Sequence, residues 1–377
     1  MGDVPDVPKK PPLRLDYLDG MRALAALFVV LHHSWLQIWR PGEGRMPTGL
    51  TLRLTSWLFY GHFAVTVFLV ISGFCLMIPV VRSGGVLSGG WRRFAFRRTR
   101  RIVPPYLASL AFSLVLIWAY VGHKTGTHWD ISLPVTVHSV LAHIFLLQNF
   151  TDYYKINHAY WSIAVEYQIY FLFPLLVLAY RRFGAIPSTV VSIVLSYVWY
   201  KASGKMGLHI VAAYYLAMFV VGTLGAQFAF GSERNKRYPW TLLGTAGFIA
   251  TILLSHKFGY QHVHFEELDL LVALSTMCLM VAIAHGNAGW LSRLLSSKLL
   301  VFIGGFSFSL YLVHAPLIQA AWQIFNMWHV GPETMMILLT FVGTPLIVLI
   351  SYGFFWLFER PFLSTGTKPK ASQPAST

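Results

Sequence analysis

Several side chains sit where an apolar segment should exclude them. The stretch GMRALAALFVVLHHSW, residues 20–35, carries Arg22, His32 and His33. The stretch WSIAVEYQIYFLFP, 161–174, holds Glu166 among Ile, Val and Phe, and SFSLYLVHAP, 307–316, holds Tyr311 and His314. The run WRRFAFRRTRRIVPPY, 91–106, gathers Arg97, Arg98, Arg100 and Arg101, and FERPF closes the last apolar segment at 358–362. Hydrocarbon penalises charge, so an ionisable group inside such a segment is a functional candidate. Arginines suit phosphate, which they grip in bidentate fashion. A histidine in a dry pocket, with a carboxylate at the same depth, suits general-base work. Glu359 beside Arg360 at a helix end reads as structural.

The segments that must position these groups are membrane spans. Of 377 residues, 56% are hydrophobic and 11% charged, against about 25% charged in a soluble domain. Apolar runs of about 20 residues recur along the length, the pattern of a polytopic all-α membrane protein. Ten spans are expected, near 18–39, 57–80, 103–122, 159–180, 187–201, 209–229, 240–256, 268–285, 300–325 and 334–357. The piece 135–150 is too short to cross and is expected to re-enter or lie at the surface. Lys and Arg alternate with this count: one set of loops and tails holds 20, the other 8, with Arg22 left over. That bias places both termini in the cytoplasm and the chain in the cytoplasmic (inner) membrane as a multi-pass protein. The net charge of +15 therefore reports membrane topology, and no nucleic-acid partner is expected. Residues 1–16 form a polar cytoplasmic tail, 17–362 one transmembrane domain, and 363–377 a disordered cytoplasmic tail. No cleaved signal peptide is expected. The cysteines, Cys75 and Cys278, lie in apolar runs and form neither a disulfide framework nor a metal pattern.

Helix rise of about 1.5 Å per residue converts position to depth. His33, Glu166 and His314 all come out about 20 Å above the cytoplasmic face of a ~30 Å core. Arg22, Arg98 and Arg101 come out at that face. Gly73 in TVFLVISGF, 66–74, is expected to let two helices approach closely.

In this order, the motifs LDGMRALAALFVVLHH, FLVISGF, FRRTRRIVPPY, WSIAVEYQIYFLFP, FSFSLYLVHAP and FERP resemble those of the acyltransferase-3 family of integral-membrane acyltransferases. The resemblance covers residues 15–362. It implies transfer of an acyl group, most often acetyl, from cytoplasmic acyl-CoA to a hydroxyl of an extracytoplasmic or lipid-linked glycan. The family spacing of arginine and histidine pairs Arg22 with His33. Adjacent helical positions point about 100° apart, so only one of His32 and His33 easily faces a site. The family's R-x-x-R falls on Arg98 and Arg101, its W-S-x-x-x-E glutamate on Glu166, and its late tyrosine and histidine on Tyr311 and His314.

The mechanism so implied puts acyl-CoA phosphates on Arg98, Arg101 and Arg22, and His33 as base or transiently acylated nucleophile. Glu166 then orients the imidazole, Tyr311 or His314 steadies the oxyanion, and no metal takes part. Some members carry an added hydrolase-like domain, so a partner protein completing the transfer is an alternative to transfer by the transmembrane core alone. A small-molecule acceptor such as a macrolide sugar is the runner-up. A proton-coupled transporter is the rival class, and no internal repeat supports it.

Overall fold

The computed structural model of the protein describes residues 15–363, apart from 152–153, 206–210, 232–233, 235–237 and 259–264. Of the tails expected at 1–16 and 363–377, residues 1–14 and 364–377 lie outside the described residues, and Asp16 already opens the first helix. All named elements are helical, and the described residues form no sheet beyond one isolated bridge between Arg40 and Arg45. In chain order the α-helices are α1 (Asp16–Ile38), α2 (Gly49–Thr55), α3 (Phe63–Arg82), α4 (Gly90–Leu116), α5 (Val137–Ile144) and α6 (Trp161–Phe183). There follow α7 (Ala185–Lys205), α8 (Val211–Phe230), α9 (Trp240–Phe258), α10 (Phe265–Ala284) and α11 (Gly289–Leu295). The last are α12 (Lys298–Gly304), α13 (Ser307–Asn326), α14 (Pro332–Leu338) and α15 (Thr344–Phe354).

Each of the ten expected spans is helical over most of its described residues. Six helices among the described residues are long and apolar enough to cross a membrane, or up to eight if each of two bent pairs is one span. Both differences from a simple ten-span picture have local causes. The expected span 300–325 breaks between α12 and α13 with a 73° bend, at Gly304, Gly305 and Phe306. The helix α10 turns by 100° into α11 through residues 285–288. The helices α7 and α9, of 21 and 19 residues, coincide with the other two expected spans but are not among the helices long and apolar enough to cross.

α1 stands at the centre and packs against α3, α11, α12 and α13. Asp16 and Asp19 lie in its first turn, where carboxylates suit the positive end of the helix dipole. Two glycines seat that turn. A Cβ on Gly20 would come within 1.8 Å of the Leu295 carbonyl oxygen, and one on Gly304 within 2.0 Å of the Asp19 carbonyl oxygen. The α3–α8 crossing is equally close. A Cβ on Gly73 would meet the Phe219 carbonyl oxygen at 2.1 Å, and one on Gly222 would meet that of Val70 at 2.0 Å. The close approach expected at Gly73 is thus observed.

Outward faces are apolar. Leu172, Leu175 and Leu178 on α6, Val191, Val194, Leu195 and Val198 on α7, and Leu346 and Leu349 on α15 are all exposed. Continuous apolar faces of this extent suit lipid and not water.

The α4–α6 connection, residues 122–160, folds inward and carries Trp129 fully buried, its indole N–H donating to the Val121 carbonyl at 2.9 Å. Asp130 braces it by accepting from the backbone N–H of Thr125 and Gly126, each at 2.9 Å. The piece expected at 135–150 becomes α5, opened by a capping box between Thr136 and Ser139, and a short 3₁₀ turn at Gln148–Phe150. Val137, Leu141 and Phe145 stay exposed while His143 and Gln148 are buried. One edge is apolar and outward, the other polar and inward.

Candidate active site

The two histidines of α1 have different fates. His32 shares a 2.7 Å hydrogen bond between Nδ1 and the Leu58 carbonyl, and its Cβ lies so close to Gly61 that a side chain there would collide at 2.2 Å. His33 points to α13, where its Nδ1 lies 2.7 Å from Nε2 of His314. The two rings are parallel within 1° and 5.0 Å apart. His314 is fully buried, and its Nδ1 is 2.6 Å from the Tyr311 carbonyl.

These contacts fix the tautomers. A carbonyl only accepts, so His314 Nδ1 carries the proton. A neutral His314 then accepts at Nε2, and His33 donates from Nδ1. The lone pair of His33 is left on Nε2, where a general base needs it. His314 therefore stands where a triad places its orienting group.

Two further imidazoles complete this layer, and neither was foreseen from the sequence. Both come from the α4–α6 connection. His158 meets the His33 ring edge-on at 4.8 Å. His128 lies 4.7 Å from His158 and 6.1 Å from His33. Burial first, and the Arg40 guanidinium second, push His128 down to about 4. Burial likewise holds His158 well below its ordinary value. Both are neutral at pH 7.

His158 Nδ1 lies 3.2 Å from the Ser132 hydroxyl, and its buried Nε2 bonds to no described residue. If Ser132 donates, one buried group, the His158 Nε2–H, is left unpaired. If Ser132 accepts, two are, the hydroxyl proton and the Nε2 lone pair. Unpaired buried polar groups are costly. The first arrangement prevails, leaving an N–H donor beside the base. Among the described residues no three His, Cys, Asp or Glu side chains converge as a metal-ligand set.

Below this layer lies a cavity of about 540 Å³. Arg22, Arg98 and Arg101 line one end, and Ser162 and Tyr311 the other. Tyr311, one turn before His314, joins the two regions; its hydroxyl is 2.7 Å from Ser162 Oγ. Arg22 is held by Asp19 at 2.7 Å and by the Cys75 sulfur at 3.1 Å. Arg98 lies over the Phe94 ring at 5.8 Å, and its Nε is buried with no partner among the described residues. An orphaned guanidinium donor is what an incoming phosphate would satisfy.

Glu166 belongs to this cavity. It accepts from Tyr170, whose hydroxyl is 2.7 Å from Ser72. The depth count put Glu166 level with His33, but on α6 it is Ser162, one turn earlier, that meets Tyr311. The structure thus brings His33, His314 and Tyr311 together in one layer and Arg22, Arg98, Arg101 and Glu166 in the next. Glu359, set aside as structural, accepts from the Ser309 backbone N–H at 3.1 Å and from its hydroxyl.

A family model described as an acyltransferase domain matches residues 15–356. The chain belongs to the acyltransferase-3 family. It is 23% identical over 389 aligned positions to a peptidoglycan O-acetyltransferase, OatA, of Listeria monocytogenes, covering 93% of this chain and 56% of that protein. It is 24% identical over 399 positions to an O-acetyltransferase OatA of Staphylococcus aureus, covering 96% of this chain and 59% of that protein. The chain thus spans less than three fifths of the length of these relatives. No solved structure matches it.

Proposed function

We propose that this chain is a membrane O-acetyltransferase that takes an acetyl group from acetyl-CoA and passes it to a glycan hydroxyl presented from the other side of the membrane. The observation that carries this reading is the hydrogen-bonded series His33–His314–Tyr311 set against the end of a cavity whose far end is lined by three arginines. The relatives named for O-acetyl transfer support it. The reading includes ten spans with both termini cytoplasmic, in the cytoplasmic membrane. A partner protein that completes the transfer is the alternative to transfer by the transmembrane core alone.

Acetyl-CoA enters the arginine cavity with its phosphates on Arg98, Arg101 and Arg22, and its thioester at Tyr311. The acceptor oxygen attacks the carbonyl carbon while its proton passes to His33 Nε2. The His158 Nε2–H donates to the developing oxyanion. As the tetrahedral intermediate collapses, the C–S bond breaks, and the thiolate leaves with the proton from His33. No net proton is gained or lost. Tyr311 and Ser162 shape the thioester end, and Glu166, through Tyr170, braces the wall opposite Arg98.

The experiment is thiol release from acetyl-CoA by the purified chain in detergent, wild type against His33→Ala, with and without envelope glycan. Release that needs His33 and rises with glycan supports the reading. No release and no CoA binding would remove the donor assignment and bring the transporter class forward.

A further inference from the structure

Beyond the imidazole layer α13 runs on to Asn326. There its last turns meet the helical turn Ile117–Val121, which continues α4, and the loop that follows, forming a cleft of about 410 Å³, within the range of small-ligand sites. Six residues line it: Tyr120, His123, Thr125, Trp322, Gln323 and Asn326. The lining holds no carboxylate, arginine or lysine. A phosphate or carboxylate ligand would call for a fixed cation, and a lipid chain would leave the amides unpaired. Two aromatic rings set beside two amides and a hydroxyl suit a pyranose ring. Such a ring offers a face of C–H groups to an aromatic surface, and a rim of hydroxyls that both donate and accept, as amides do.

Two observations strengthen this. Gln323 Nε2 is buried yet bonds to no described residue, a donor that a ligand hydroxyl or a water must satisfy. The cleft wall is also bonded to the reaction layer. Thr125 Oγ1 accepts from Gln319 Nε2 at 3.1 Å and lies 2.8 Å from Thr127 Oγ1. Gln319 Oε1 in turn accepts from Thr127 at 3.2 Å and from Gln37. Gln37 is one turn along α1 from His33, and Thr127 adjoins His128.

Distance then selects the kind of acceptor. Gln323 lies nine positions beyond His314, about 13 Å along the helix. A single sugar held in the cleft cannot bring its own hydroxyl to His33. We infer that this cleft binds one ring of an oligosaccharide acceptor, a unit displaced along the chain from the ring that is acetylated. The inference rests on the acyltransferase reading and deepens it: the acceptor is a chain of sugars and not a lone decorated sugar.

The test is saturation-transfer NMR on the full chain in detergent, with cellotriose and triacetylchitotriose as probes and glucose as the short control. Wild type, Trp322→Ala and Asn326→Ala are compared, the last at an exposed position where misfolding is not expected. Melting temperature and CoA affinity check that each variant is folded. The expected result is trisaccharide binding at millimolar concentration, weakened about tenfold in both variants, with glucose binding weaker than either trisaccharide. Failure of wild type to bind either trisaccharide overturns the inference, as does binding unchanged in both variants. Thiol release from acetyl-CoA is read separately. Sugar binding without any thiol release keeps the cleft and sinks the transferase reading. Thiol release without sugar binding does the opposite.

Discussion

His33 and His314 stand 281 positions apart in sequence and share a 2.7 Å hydrogen bond between parallel rings. The bond ties the first helix to one of the last, and it decides which nitrogen of His33 is free. His33→Ala is expected to lower transfer by about 10²–10⁴-fold, the usual contribution of a positioned base. His314→Gln, which keeps an acceptor without the imidazole, should cost less. His32→Ala should act on stability, because His32 is bonded to the Leu58 carbonyl. Rates of acetyl-CoA thiol release check all three. Transfer that survives His33→Ala but is lost in His32→Ala would reverse the assignment.

His158 offers a buried N–H with no partner among the described residues. His158→Ala should reduce kcat by about 10²–10³-fold, the scale of one lost oxyanion donor, with little change in KM for the donor. His158→Gln, which restores an N–H, should recover part of the loss. Equal losses in both variants, or a loss confined to KM, would contradict the oxyanion role.

The arginine cavity makes a prediction about binding alone. Arg98→Ala should weaken CoA by about tenfold or more, the scale of a charge-assisted hydrogen bond lost to a buried site. Arg98→Lys should restore only part, because lysine lacks the planar fork. Calorimetric titration of CoA checks this, and an Arg98→Ala affinity equal to wild type would move the phosphate site elsewhere.

Acid should destabilise the fold through His128, which lies outside the spans. The unfolded chain takes up this proton near 6.5, and the folded chain only near 4. The folded state binds fewer protons between these values, so stability falls as pH drops through that window. Replacement by glutamine should flatten this fall. Melting temperatures from pH 7 to pH 4 measure it, and parallel curves for wild type and His128→Gln would refute it.

Gly73→Ala should destabilise by about 1–3 kcal/mol, the cost of overpacking, because the new Cβ meets the Phe219 carbonyl oxygen at 2.1 Å. The same change at Gly353, where nothing lies within 4 Å, should be silent. Thermal melting in detergent compares the two.

The sequence announces its helices because lipid imposes long apolar runs, and it announces Arg22, His33, Tyr311 and His314 because polar groups stand out there. His128 and His158 are silent for the opposite reason. They sit in a connection already rich in polar residues, and only the inward fold of that connection makes them part of the site. Glu166 was visible but set at the wrong level. Counting from one guessed helix edge carries an error of about a turn, which separates a residue beside the imidazoles from one beside the arginines. The α12–α13 bend was hidden in an apolar run whose glycine pair is its only mark.

The arginine cavity enters from one end of the molecule and the aromatic cleft from the other. Between them lie His33, His314 and the Gln37–Gln319–Thr127 bonds. A body hollowed from both ends across a bilayer is insulating only as far as that thin septum is. Its amides and hydroxyl, from Gln37, Gln319 and Thr127, bond to one another, and none carries a fixed charge to draw an ion through. Loosening it by truncating Gln319 would let ions seep across and dissipate the membrane potential. A cell carrying such a variant would pay in energy whether or not any glycan went unmodified.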